Sequence, residues 1–381
     1  MDTSGPVTLQ IWLPPQFDPA SGTEAGQLLE NHLNQFAERH PGVRLDIRIK
    51  AIDGPGGMLD AMSSASAAAP QALPDLVALP RPVLEDAALK GLLRPLDGLT
   101  TALDDSDWYE YARQLAHVQN STFGVPFAGD ALVLVYRADL VRVPPRDWSE
   151  ALLSIGPLAF PAADPQALYT LALYQAAGGV VQDGQGRPDL DAEVLSQVLA
   201  FYDGGAKTNL MPSWLAQIQT DDQAWTSFQE NEASMVVTWA SRFMIDATSL
   251  PSTTLAAPIP TPLGSPFTLA TGWLWALAGP QPHKQDLAIE LIDHLAQIDF
   301  LARWTASAGY LPPRAGVLSA WPDTPARDLA GQVMLSARIY PSNDVLSALS
   351  PPLLDATVQI LNQQSDPLSL AESAVEHLQN P

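Results

Sequence analysis

Hydrophobic positions in the first ninety residues alternate between two periods. Val7 to Leu13 (VTLQIWL) is a short apolar run halted by Pro14-Pro15, the pattern of a buried strand. From Thr23 to His40, Leu28, Leu29, Leu33 and Phe36 recur at helical spacing before Pro41-Gly42 ends the run, which predicts a helix. Val43, Leu45, Ile47 and Ile49 then alternate with Arg44, Asp46, Arg48 and Lys50, a half-buried strand of period two. A third strand is predicted from Asp75 to Leu79, with a helix around Val83 to Lys90 that Gly91 can terminate. Strands interleaved with helices imply a mostly parallel sheet with right-handed crossovers.

Further along, Phe123 to Leu140 (FGVPFAGDALVLVYRADL) reads as an extended segment that leaves one domain, breaks at Ala128-Gly129 and enters another. A helix is predicted over Ala167 to Ala177, stopped by Gly178-Gly179, and a turn-rich loop over Val181 to Asp191. That loop lacks the acidic spacing and central glycine of a calcium loop. Asp191 suits the N-cap of a helix carrying Val194, Leu195, Val198, Leu199 and Tyr202 on one face, with Gly204-Gly205 as its stop. Ala256 to Phe267 (AAPIPTPLGSPF) is the most proline-dense stretch and reads as a stiff, extended connection. Gln285 to Ala308 is expected as one long helix, and the chain beyond Pro313 as wholly helical. Ser63 to Ala69, rich in alanine, suits a helix or a small loop, and there is no internal repeat.

At 381 residues the chain is too long for one ordinary core and suits two. Its 19 basic and 42 acidic residues give a net charge of −23, which argues against nucleic acid or anionic lipid as partners. Hydrophobic residues at 46% and charged ones at 16% exclude global disorder. The absence of cysteine removes disulfides, thiol nucleophiles and thiolate metal sites. No apolar run is long enough to span a bilayer. The opening Met1-Asp2-Thr3-Ser4-Gly5-Pro6 is no signal peptide, so the expectation is a cytoplasmic protein or a mature form without its export segment.

Much familiar chemistry is missing. The six histidines (His32, His40, His117, His283, His294, His377) form no metal-binding pair. No nucleophile elbow, P-loop or dinucleotide fingerprint occurs. Gly54-Pro55-Gly56-Gly57 is a turn, since no Lys-Ser/Thr follows it. Two carboxylates brought together by folding would suffice for a glycosidase, which keeps one enzymatic alternative open. The ten tryptophans mostly fall near predicted element ends. Trp108, Trp148, Trp304 and Trp321 suit core packing. Aromatic faces gathered in one cleft suit the C–H faces of a pyranose, while carboxylates and amides take its hydroxyls.

Five segments, taken in order, resemble the family 1 extracellular solute-binding proteins of ABC importers. They are Val7 to Trp12 with Leu29 to Gly42; Phe123-Gly124-Val125-Pro126 with Val135-Tyr136; Phe228 to Trp239 (FQENEASMVVTW); Gly272-Trp273-Leu274 with the helix Ala288 to Leu295; and Gly309-Tyr310-Leu311-Pro312-Pro313-Arg314. Arg137 departs from the family's Asn or Asp after the tyrosine, and Trp148 to Phe160 is short for the family's helix there.

The resemblance implies an α/β, two-lobed periplasmic-binding-protein-like fold of type II, with discontinuous lobes joined by hinge crossings and a ligand cleft between them. The expected N-terminal lobe comprises residues 1–128 and 263–311, and the C-terminal lobe 129–262 and 312–381, with crossings near Phe127 to Asp130, Pro258 to Leu263 and Tyr310 to Gly316. It implies capture of a small solute, most readily a mono- or oligosaccharide, for a membrane permease. No chemistry, cofactor or metal is expected, and the protein is expected to be a monomer. An extracellular or periplasmic location, free or lipid-anchored, is also implied. Alternatives are a polyamine, a phosphorylated glycerol or a metal ion as the solute, or a sensor role.

Carried over position by position, Trp239 is the expected stacking platform and Asp130 an acceptor for sugar hydroxyls, although a hinge acid serves equally there. Trp12 and Glu24 follow the first strand; Glu24 equally suits the N-terminus of its helix. Arg81 can donate bidentately to vicinal hydroxyls. Trp273, Tyr169 and Arg242 complete the candidates, with Arg314, whose position also suits a structural hinge contact.

Overall fold

The computed structural model describes residues 7–279 and 281–379. The chain divides into two compact units. Unit 1 comprises Met1–Asp130 and Thr271–Ala330; unit 2 comprises Ala131–Ala270 and Gly331–Pro381. The chain first passes from unit 1 to unit 2 at Asp130. Residues 263–270 group with unit 2 and 312–330 with unit 1, both opposite to the expectation. Packing explains the second shift: Arg314 binds Asp105 and Asp107, and the Trp321 indole N–H donates to Thr305 Oγ1 at 3.0 Å.

In unit 1, strand Val7–Leu13 runs parallel to Val43–Ile49 on one side and to Leu76–Pro80 on the other. The returning segment Trp273–Leu277 pairs antiparallel to Leu76–Pro80, with Trp273 opposite Pro80, so the sheet is mixed. Helix Glu24–Arg39 begins where the Thr23 side chain accepts the Gly26 N–H, an N-cap. Helix Arg81–Leu89 ends before Gly91, whose φ of +69° suits a residue without Cβ. The long helix expected from Gln285 to Ala308 is two, Pro282–Leu295 and Ile298–Ala308. It breaks at Ala296-Gln297, where Gln297 adopts the extended backbone of an N-cap.

Strand Val125–Arg137 is continuous, without the expected break at Ala128-Gly129, and passes from unit 1 into unit 2. Gly129 keeps the ladder flat: a Cβ there would lie within 3.2 Å of the Leu311 carbonyl, with which Gly129 exchanges both backbone hydrogen bonds.

In unit 2 this strand pairs antiparallel with Met235–Trp239 and with Thr254–Ala257, and Leu158–Ala159 joins parallel to Met235–Trp239. Thr268–Ala270 pairs parallel with Ala337–Ile339, a strand in a region expected to be purely helical. Asp191 accepts the N–H groups of Glu193 and Val194 and starts helix Ala192–Lys207. That helix runs through Gly204-Gly205, because a Cβ at Gly205 would press on Met211; close packing, not chain termination, selects glycine. Thr170 Oγ1 meets Tyr202 OH at 3.0 Å and Thr357 Oγ1 at 2.8 Å, a buried polar knot joining three helices.

Candidate functional site

One depression on unit 2 lies at the end of strand Met235–Trp239 and the start of helix Leu168–Ala176. It encloses about 420 Å³, and its lining includes Trp239, Tyr169, Asp164, Gln166, Asp221 and Tyr340. Trp239 ends its strand opposite Leu132 and N-caps helix Ala240–Asp246, leaving its indole half-buried. Tyr169 is buried edge-on to Phe160 at 4.8 Å. Burial pushes its phenol well above the ordinary tyrosine range, so it acts as a neutral hydroxyl, and its oxygen has no hydrogen-bond partner among the described residues.

Two carboxylates complete the depression. Asp164 accepts the N–H groups of Gln166 and Leu168 at 3.0 and 3.1 Å. Asp221 accepts from Thr238 Oγ1 at 2.6 Å and from Arg242 Nε at 3.4 Å. Burial raises both carboxyl groups above their ordinary range; hydrogen bonds oppose this at each, and Arg242's charge adds to them at Asp221. Arg242 also binds Asp222. It therefore acts behind the depression, holding Asp221, instead of lining it.

On unit 1, the turn after the first strand carries Phe17 into an aromatic group. Phe17 stands edge-on to Trp273 at 4.9 Å, to Phe127 at 5.3 Å, to Trp304 at 5.4 Å and to Tyr310 at 5.6 Å. Trp273 and Tyr310 keep part of their surface exposed, while Trp304 is buried. Asp130, itself buried, lies near enough that its charge helps burial raise the Tyr310 and Tyr111 phenols. Trp12 is buried beneath Lys50, whose Nζ lies 4.5 Å from its ring centre. Glu24 is the exposed first residue of its helix. Arg81 starts its helix just past Pro80, at the sheet end that Trp273 shares, and pairs with Glu85 at 3.4 Å.

Arg314 stands apart. Asp107 receives its guanidinium at 2.7 and 3.0 Å, Asp105 receives it at 2.6 Å, and it lies over the Trp108 ring at 4.8 Å. Its Nε and Nη2 are thus both engaged by carboxylates of its own unit.

The structure thus gathers Tyr169 and Trp239 on unit 2, with Arg242 behind them, and Trp273 on unit 1 near the Asp130–Tyr310 neighbourhood. Phe17, Asp164, Gln166, Asp221 and Tyr340 did not stand out in the sequence. Asp221 follows the capping box of Thr220 and Gln223, and Asp164-Pro165 precedes a helix; both read as local turn chemistry. Among the described residues no cluster of three or more His, Asp or Glu side chains is placed to hold a metal ion. Among the same residues no helix is long and apolar enough to cross a membrane.

A family model described as bacterial extracellular solute-binding protein matches residues 32–329. Comparison with curated proteins finds no match. Among solved structures, the chain is similar to the cyclic alpha-maltosyl-1,6-maltose binding protein from Arthrobacter globiformis, with TM-score 0.80 and 17% identity over 99% of this chain and 100% of that one. It is similar to a cyclo/maltodextrin-binding protein complexed with maltotetraose, with TM-score 0.78 and 19% identity over 100% of this chain and 98% of the other. The sugar-binding protein MalE from the phytopathogen Xanthomonas citri gives TM-score 0.76 and 18% identity over 98% of both chains. At these identities the likeness speaks to the fold, and it agrees with the two-lobed α/β class expected from the sequence.

Proposed function

The chain belongs to the bacterial extracellular solute-binding proteins, and we propose that its solute is an oligosaccharide of the maltodextrin type. The guest is handed unaltered to the transmembrane permease of an ABC importer, by a monomer working outside the cytoplasmic membrane, free or lipid-anchored.

One observation carries the sugar reading: Trp239, Tyr169, Asp164 and Asp221 share one depression on unit 2. A half-exposed indole offers a flat apolar face to a pyranose ring. The carboxylate oxygens accept hydrogen bonds from its hydroxyls at the rim, while Tyr169 contributes its ring to the wall. On unit 1, Trp273 beside Phe17 and Tyr310, with Asp130, is a separate proposed sugar contact, and Trp12, Glu24 and Arg81 are further proposed contacts of that unit. Arg242 serves the depression on unit 2 through Asp221, and Arg314 is assigned a structural role.

Other solutes fit less well. Among the described residues no basic side chain lines the depression, so a phosphate ester finds no counter-charge in its wall. Arg242 already compensates Asp221, which leaves too little acid for a polyamine. The solved relatives named for cyclic maltosyl-maltose and bound to maltotetraose support an α-glucan over other sugars. Calorimetric titration with glucose, maltose, maltotetraose and a cyclodextrin tests the reading. Micromolar binding, about −8 kcal/mol, is expected for at least one glucan. Silence toward all four, with binding of a polyamine or glycerol phosphate instead, would overturn it.

A further inference from the structure

Unit 2 holds a second cavity that the sugar reading leaves unused. It encloses about 500 Å³, within the size range of small-molecule sites. Its apolar walls are Tyr136, Pro144, Pro145, Pro258, Ile259 and Pro266. Proline rings have fixed φ and no N–H, so four of them make stiff walls with little polar demand.

The loops that build it are clamped to each other. The Thr261 N–H donates to the Arg146 carbonyl at 3.2 Å, and the Trp148 N–H donates to the Thr261 carbonyl at 3.2 Å. The Thr261 hydroxyl donates to the Ser265 carbonyl at 2.8 Å. These bonds satisfy loop polar groups internally and preform the cavity, which lowers the ordering cost of a guest.

A single charged side chain, Arg146, is part of the lining. In a chain of net charge −23 that is an unexpected place for a lone cation. Its N–H donates to Glu150 Oε2 at 2.8 Å, yet its guanidinium forms no ion pair among the described residues. Gly264 turns the chain at φ +74°, a backbone that suits a residue without Cβ. Arg146 is exposed, so its donors are open to a guest entering from solvent.

We propose that this cavity is a binding site for a small aromatic carboxylate. The flat ring packs between the prolines and Tyr136, and Arg146 takes the carboxylate in a forked pair of charge-assisted hydrogen bonds. The site shares no lining residue with the Trp239 depression, so it stands or falls independently of the sugar. The two lie along one strand face, since Leu132 lines the first and Tyr136 the second, four residues and roughly 13 Å apart.

The test titrates the full chain with 2-naphthoate at low ionic strength, using the probe's own fluorescence, beside its neutral isostere 2-naphthamide. One saturable site is expected, with the acid bound at least tenfold tighter than the amide. Arg146→Gln should erase that preference, and Arg146→Lys should restore part of it. Ser265→Trp, at an exposed position of the rim, should block both probes, whereas Trp239→Ala should leave both unchanged. Circular dichroism confirms that each variant is folded. Absence of saturable binding, equal affinity for acid and amide, or naphthoate affinity indifferent to both Arg146→Gln and Ser265→Trp would overturn the proposal.

Discussion

His32 and His294 stack in unit 1 with ring centres 3.7 Å apart, and each Nε2 reaches the other's backbone carbonyl, at 2.8 and 2.9 Å. Phe300 covers the other face of His32 at 4.0 Å. The pair ties helix Glu24–Arg39 to helix Pro282–Leu295, the elements that flank the first strand and the returning one. Each Nε2 faces a carbonyl and so carries a proton; burial lowers both rings' pKa values and keeps them neutral near pH 7, with Nδ1 unprotonated.

Acid should therefore loosen unit 1. Burial lowers His32 from 6.5 to about 4 and lowers His294 as well, and the charges of Arg303, Arg39 and His40 work in the same direction. The unfolded chain binds a proton at His32 below pH 6.5 that the folded chain refuses until about pH 4. Stability is then fully present above pH 6.5 and declines as pH falls through that window, because the unfolded chain takes up the proton first. Urea unfolding at pH 7, 6, 5 and 4.5 should show the decline, and His32→Phe should flatten it. An unchanged slope in the variant would remove the histidine pair as its cause.

Trp239→Ala should weaken glucan binding by about 1–3 kcal/mol while the chain stays folded, with a modest drop in the unfolding midpoint, because only part of the indole is exposed. Calorimetry and urea titration on the same preparation separate the two effects. Undiminished affinity would take Trp239 out of the site.

Arg242 should act through Asp221. Removing its charge as Arg242→Gln takes away a force that keeps the carboxyl ionised, so burial raises Asp221 further. Glucan affinity is carried by the ionised acceptor, present above the Asp221 pKa and lost as pH falls through it; in the variant that loss should begin at a higher pH. Dissociation constants between pH 4 and 7 read the displacement directly. Superimposable profiles would mean that Arg242 plays no part.

Arg314→Ala should cost about 1–3 kcal/mol of stability, since it removes a buried guanidinium that pairs with Asp107 and lies over the Trp108 ring. Affinity measured at a temperature where the variant is folded should not change. A large loss of affinity with stability intact would make Arg314 a contact for the guest.

How far the sequence could reach is clearest at such residues. The first strand, the helix capped by Thr23 and the N-cap Asp191 were all legible, because local patterns decide them and the packing agrees. The split at Ala296-Gln297 was not, since the apolar spacing continues across it. The strand Ala337–Ile339 escaped because three residues carry no period; it exists only through its partner Thr268–Ala270. Trp239 could be picked from its motif. Asp221 and Asp164 could not, because their capping bonds are local while their shared depression is made by residues from Leu132 to Tyr340.

Most direct is a calorimetric titration of the intact chain with maltotetraose, followed by chromatography of the recovered sugar. One guest per chain at micromolar or tighter affinity, returned with its four glucose units intact, is expected. No heat with any glucan, or release of shorter sugars after incubation, would contradict capture without chemistry.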